Sequence, residues 1–350
     1  MRSEPGTYSD PRVRPDPTGR SREGHTMKFN PNARLDTSQV QDRRGGGGGG
    51  GNGARSSGGF GGLPGGRGGL AVGGGGLGLV VIVVVVLISV FSGGGSTGTS
   101  GGTGSLLQGA AGNATFDNSQ LATACKTGAD ANTDEDCAAV AVINSVQGYW
   151  QDALASSGTT YREADTVFFT GSTRTGCGQG TAGMGPFYCP PDQLVYIDLS
   201  FWNQLKTTFG ANDATFTKAY VLAHEYGHHV QNLLGTSDRV GTATGATSGS
   251  VRLELQADCY AGVWANHATT VPDASGQVLI SEITDADLQN AAQTAGAIGD
   301  DYIQTTIAGR NVDPTQFSHG SSAQRQNWLL TGYRSGNPAS CNTFDTNNLG

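Results

Sequence analysis

Basic side chains are scarce over most of this 350-residue chain, and their distribution already excludes some functions. Of the 21 Lys and Arg residues, 11 fall within residues 1–69, beside 6 Asp and Glu. Residues 70–350 therefore hold 10 basic and 23 acidic side chains, a formal charge of −13. So acidic a domain is a poor partner for nucleic acid or an anionic membrane surface, both of which attract Lys and Arg. The six cysteines include no C-x-x-C pair, which argues against a cysteine zinc site. No internal repeat is evident, and nothing marks a sugar, phosphate or lipid pocket. Charge is absent altogether from Leu70 to Phe91, and no Lys or Arg follows that run until Lys126.

The uncharged run LAVGGGGLGLVVIVVVVLISVF has 22 residues. At about 1.5 Å per residue it can cross a hydrocarbon core of roughly 30 Å, so one transmembrane helix is expected over 70–91. No small-x-small cleavage site follows Phe91, which favours an uncleaved anchor over a signal peptide. Most of the obvious glycine clustering lies before Asn113, where apolar surface is too sparse to offset chain entropy. Residues 1–69 are therefore expected to be a disordered, basic, Gly-rich tail and residues 92–113 a Gly/Ser-rich linker, with the folded domain over 114–350. Arg43, Arg44, Arg55 and Arg67 precede the run. By the positive-inside rule the N-terminus is expected in the cytoplasm and the domain outside, in a single-pass protein of the cell membrane. All six cysteines lie after the run, where an oxidising compartment permits disulfides. Six cysteines allow 15 pairings; the favoured set is Cys125–Cys137 and Cys177–Cys189 as local loops, with Cys259–Cys341 tying the last segment to the core.

Helical spacing appears in CAAVAVINSVQGYWQDAL, where Val140, Ile143, Val146, Tyr149, Trp150 and Leu154 share a face. Two runs at 165–171 and 193–201, DTVFFTG and QLVYIDLSF, read as half-buried strands, and Cys177 to Pro191 between them as loop. Further helices are expected from about Asp213 to Leu234, Ser250 to Asn266, Asp285 to Gly299 with a possible extension to Ile307, and from Ser321, where Ser321 and Gln324 have capping-box spacing. Helices outweigh strands, which points to an α+β domain, mainly helical with a small sheet, preceded by one transmembrane helix.

Within AYVLAHEYGHHVQNLLG, His224 and His228 stand four apart and share a helix face, so both imidazoles can converge on one zinc ion. Glu225 is placed to act as general base without ligating the metal. Gly227 removes side-chain bulk beside the ion. A hydrolytic zinc takes three protein ligands. In VRLELQADCYAGVWAN, Glu254 and Asp258 again share a face. Glu254 is the expected third ligand, with Asp258 accepting the far ring N–H of a ligating histidine. Asp258 is the competing candidate for the ligand position.

These motifs are where a resemblance enters. HEYGHHVQ followed by RLELQADCYAGVWA resembles the putative neutral zinc metallopeptidase family of bacterial membrane-anchored proteins, as do MKFNPNARLDTSQVQDRRG, GPFYCPPDQLVYID and HGSSAQRQNWLLTGY. It extends from Met27 to Phe344, leaving Met1 or Met27 as the start. More distantly, a histidine pair followed by E-x-x-A-D is similar to the gluzincin peptidases. The resemblance implies a zincin-like fold, one catalytic Zn2+ held by His224, His228 and Glu254, Glu225 as base, and a peptide or protein substrate. His319 lies where the resembling peptidases carry a late histidine, and it is a candidate to bind the substrate carbonyl or stabilise the oxyanion. Arg325 is read as pairing with a carboxylate, His229 as a residue that either supports the ligands from behind or packs, and His267 as a surface group. Tyr196 and Asp198 are candidates for a strand edge along which an extended peptide binds. The alternative function is an inactive, zinc-stabilised binding or scaffolding module, against which an intact Glu225 and the absence of a fourth strong ligand speak.

Overall fold

Apolar and β-branched residues fill TVFF and LVYID, and the two runs become the middle strands of a small sheet. The computed structural model describes residues 27–44, 116–241, 243–273 and 275–350. Strand β1 is Lys28–Phe29 and β2 is Val40–Asp42; β3 (Thr166–Phe169) and β7 (Leu194–Asp198) are those middle strands. A β4–β5 hairpin (Ser172–Thr175, Gly178–Thr181) and strand β6 (Phe187–Cys189) lie between them in sequence. The order is β2-β3-β7-β6, with β2, β3 and β7 parallel and β6 antiparallel at the edge. Strand β8 (Ile280–Glu282) pairs with β1.

Helices α1 (Ser119–Ala124) and α2 (Gly128–Ala131) lead into α3 (Glu135–Ser156). The Asp134 side chain accepts the Cys137 N–H at the start of α3, and Glu135 and Asp136 in its first turn complement the helix dipole. After α4 (Phe201–Thr207) come α5 (Thr215–Leu233), with the two histidines, and α6 (Gly249–His267), with Glu254 and Asp258. Helix α7 (Asp285–Ala297) is followed by a short α8 (Asp300–Tyr302) that runs into a π-turn at Ile303–Ile307. The last helix, α9 (Ser322–Ser335), opens on the anticipated Ser321/Gln324 capping box. Helix α6 packs between α5 and α9.

Close packing of these helices is set by small residues. A Cβ on Gly227 would stand 3.0 Å from both Cα and the carbonyl oxygen of Ala257, so the glycine sets the approach of α5 to α6 rather than clearing space beside an ion. The three disulfides form as expected.

The expected architecture, mixed and mainly helical with small sheets, is what the described residues adopt. Residues 70–91 and the linker 92–113 lie outside the described residues, and no helix among those described is long and apolar enough to cross a membrane. Residues 27–44, expected within the tail, instead belong to the folded unit. Met27, Phe29, Ala33 and Val40 are buried in its core, and β2 forms one edge of the sheet. Sequence statistics missed them because strands of two and three residues are too short to carry a period. Strand β6 was missed too, since its Cys-Pro-Pro surroundings read as loop.

Candidate metal centre

Two consecutive helices supply the centre. Helix α5 is amphipathic, and from Phe216 to Gln231 all but Lys218 are buried. Its polar residues therefore need partners inside the protein. His224 and His228, one turn apart, stand with ring centroids 4.8 Å apart and planes nearly perpendicular. Helix α6 brings Glu254 against both: His224 Nε2 to Glu254 Oε2 is 3.2 Å, and His228 Nε2 to Glu254 Oε1 is 3.5 Å. One ligand atom from each lies within 4.8 Å of the others, and all three residues are buried.

The outward ring nitrogens are fixed by neighbours. His224 Nδ1 is 2.8 Å from Asp258 Oδ1, and an ionised carboxylate only accepts, so Nδ1 carries the proton. His228 Nδ1 is 2.9 Å from Gln231 Oε1. The Gln231 amide nitrogen donates to the Leu253 carbonyl at 2.7 Å and to Gln256 at 3.1 Å, which leaves its oxygen as acceptor. Both imidazoles thus aim their Nε2 atoms at the Glu254 carboxylate. Two nitrogens and one carboxylate on a buried cleft wall form the donor set that suits zinc. Asp258 is not one of the three converging residues. It is 0% exposed, accepts from Tyr220 Oη at 2.6 Å, and pairs with Arg325 through Nε at 2.9 Å and Nη2 at 3.0 Å. Arg325 is thereby engaged inside the protein, as expected.

Burial would depress His224, but the Asp258 and Glu254 carboxylates flanking it raise it to about 10 when no cation sits between them. Burial depresses His228 to about 4, with Glu254 opposing. Burial pushes Glu225 up to about 8, with His224 opposing and Glu254 adding to the rise. Glu254 and Asp258 are held low despite burial, Glu254 chiefly by His228 and His224, and Asp258 by Arg325 and His224.

A cleft of about 240 Å³ opens beside these residues and is lined by His224, Glu225, His228, Glu254 and His319. Its remaining wall is largely apolar, including Phe187, Phe209, Val221 and Ile303. Across it, His319 is held by Asp300. The Asp300 Oδ2 accepts the backbone N–H groups of Ser318, His319 and Gly320 at 2.7, 2.7 and 3.0 Å, and Oδ1 lies 3.1 Å from His319 Nδ1. Asp300, beside His319, raises it, although burial works the other way.

Tyr196 is not at an edge, and Asp198 is occupied by loop backbone. Both are buried on β7: Tyr196 is flanked by β3 and β6, while Asp198, past the end of β6, pairs with β3 and turns its carboxylate to the backbone N–H groups of Gly171 and Ser200. The edge beside the centre is β6. His229 anchors that edge: its Nδ1 meets Tyr188 Oη at 3.0 Å, and its Nε2 donates to the Arg162 carbonyl at 2.6 Å. His267 is half-buried, its Nε2 2.8 Å from the Gly336 carbonyl and its ring stacked on Tyr149, rather than a free surface group. Sequence reading did not find Gln231, Tyr220 or Asp300. Gln231, three residues beyond His228, is the one whose spacing could have signalled its role.

Comparison with known proteins places the geometry in context. A family model described as "Putative neutral zinc metallopeptidase" matches residues 30–344. An uncharacterized protein of Mycobacterium tuberculosis (strain H37Rv) is 46% identical over 237 residues, 67% of this chain and 78% of the relative. The uncharacterized protein YpfJ of Escherichia coli (strain K12) is 44% identical over 209 residues, 58% of this chain and 69% of the relative. No solved structure matches.

Proposed function

The chain belongs to the putative neutral zinc metallopeptidase family, and on that premise we propose that it is a zinc-dependent endopeptidase acting on extended peptide segments. The observation that carries the reading is the convergence of His224, His228 and Glu254 on one wall of an apolar cleft, with Glu225 beside them but outside the trio. Zinc bound there would polarise a scissile carbonyl and acidify water. The protein's own groups supply the rest. Glu225 takes a proton from the attacking water and passes it to the leaving nitrogen. His319, with Nδ1 turned to Asp300, keeps its other ring nitrogen for the cleft and donates to the carbonyl oxygen as negative charge develops.

An extended substrate adds to the edge of β6, where backbone pairing binds with little sequence preference. Selectivity then comes from the apolar wall. Phe209, Val221 and Ile303 suit a bulky apolar side chain next to the scissile bond, since the charged groups of the lining belong to the centre itself. The three disulfides support an oxidising compartment for the domain, and attachment to a membrane through residues 70–91 belongs to the same proposal.

The test is cleavage of a quenched, unstructured protein substrate by the full chain, with zinc content read on the same samples and Glu225→Gln alongside. The variant is expected to keep its zinc and lose at least about 100-fold in turnover. Chelation is expected to abolish cleavage by the wild type. A zinc-loaded wild type that cuts nothing, or a variant as fast as wild type, refutes the reading.

A further inference from the structure

We infer that residues 27–44 and residues 116–350 lie on the same side of any membrane, so that the chain between them returns to the side it left. The reasoning is independent of the peptidase reading and rests on how the first segment is built into the second. Strand β2 pairs in parallel with β3, Val40 opposite Thr166 and Asp42 opposite Phe168, and the Arg43 N–H continues the ladder to the Phe168 carbonyl at 2.8 Å. Strand β1 pairs with β8, Lys28 opposite Glu282. Between them, the Leu35 N–H donates to the Lys126 carbonyl at 3.0 Å, and the Gly128 N–H to that of Ala33 at 2.9 Å.

Three asparagines of the later domain grip this segment as a peptide group would. Asn132 accepts the Phe29 N–H and donates to the Phe29 carbonyl, both at 2.9 Å. Asn144 does the same to Asp36, again both at 2.9 Å. Asn118 accepts the Asp42 N–H at 2.9 Å and donates to the Val40 carbonyl at 2.5 Å. Asn144 is 8% exposed with the segment in place and lies amid the buried apolar residues of α3, and the partners that satisfy its buried amide, Asp36 and Gln39, both come from the segment. These are dedicated receptors for a stretch of backbone, present only if that backbone shares their compartment.

The topological consequence follows from where the ends lie. The first described stretch ends at Arg44 and the next begins at Phe116, and the Asn118 side chain holds the backbone of Asp42, so the chain leaves and rejoins the fold at one place. Joined in this way, the intervening chain crosses a membrane an even number of times or not at all. The run 70–91 is long enough for about one crossing. One crossing would put β2 and β3 on opposite sides of the bilayer, where they cannot hydrogen-bond. The charge asymmetry that suggests opposite sides counts Lys28, Arg34, Arg43 and Arg44, which belong to the fold, as part of a tail.

The experiment uses the full chain in intact bacterial cells carrying Lys28→Cys or Glu282→Cys, cross-strand partners on the surface, or both together. A membrane-impermeant maleimide is expected to label the two single variants to the same extent, and the double variant is expected to close an intrachain disulfide on a non-reducing gel. The same comparison at exposed Asn32 and Gln151, as Asn32→Cys and Gln151→Cys, removes dependence on the strand pair itself. Labelling of both members of a pair only after lysis also upholds the inference and moves the domain inside the cell. Labelling of one member in intact cells and the other only after lysis overturns it.

Discussion

Asp300 sits at the mouth of α8 with one carboxylate oxygen on three backbone N–H groups and the other on His319. It touches no substrate in the proposed reaction, so its effect is positional. Asp300→Asn is expected to lower kcat by about 10- to 100-fold with KM little changed, because the oxygen-binding group acts mainly in the transition state. Loss of KM and kcat together, with a lowered melting temperature, would instead assign the residue a purely structural role. Gln231 is the counterpart on the metal side. Gln231→Leu frees His228 to rotate and is expected to weaken zinc binding by about 10- to 100-fold, read by competition with a chromogenic chelator.

At the level of elements, the centre depends on how closely α5 lies against α6. Gly227→Val pushes branched carbon into Ala257 and is expected to cost about 1–3 kcal/mol of stability and to loosen the metal site, measured by denaturant unfolding and zinc titration. The join between α5 and β6 carries a pH dependence. His229 accepts at Nδ1 and donates at Nε2, so it is neutral in the fold, and burial depresses it to about 4. In the unfolded chain it titrates near 6.5, and the unfolded state therefore takes up the proton first as pH falls. Its stabilising contribution is whole above about pH 6.5 and is lost progressively as pH falls towards 4. Melting temperature followed across that window is expected to fall more steeply for wild type than for His229→Gln.

For the whole molecule, the early segment completes the core. Burial of Met27, Phe29 and Val40 is worth roughly 1.5–3 kcal/mol each, before counting the asparagine contacts. That sum is a large part of the 5–15 kcal/mol by which domains of this kind are stable. A chain beginning at residue 116 is therefore expected to melt well below the full protein, and a peptide of residues 27–44 added in trans is expected to restore part of the difference. Equal melting temperatures with and without the segment would show that the strands add nothing to stability.

Much of the centre was legible in the sequence because helical periodicity is local. Residues four apart must share a face, so His224 with His228 and Glu254 with Asp258 could be paired before any fold was known, and so could the Ser321 cap. Which carboxylate turns to the histidines' Nε2 atoms was not local information. Only the packing of α6 between α5 and α9 decided it, by giving Asp258 to Arg325 and Tyr220 and leaving Glu254 to face the histidines. Long-range pairing likewise made β6 the edge and buried β7. It also brought residues 27–44 into the domain, for a strand of three residues has no pattern of its own and takes its place from the partners waiting for its backbone.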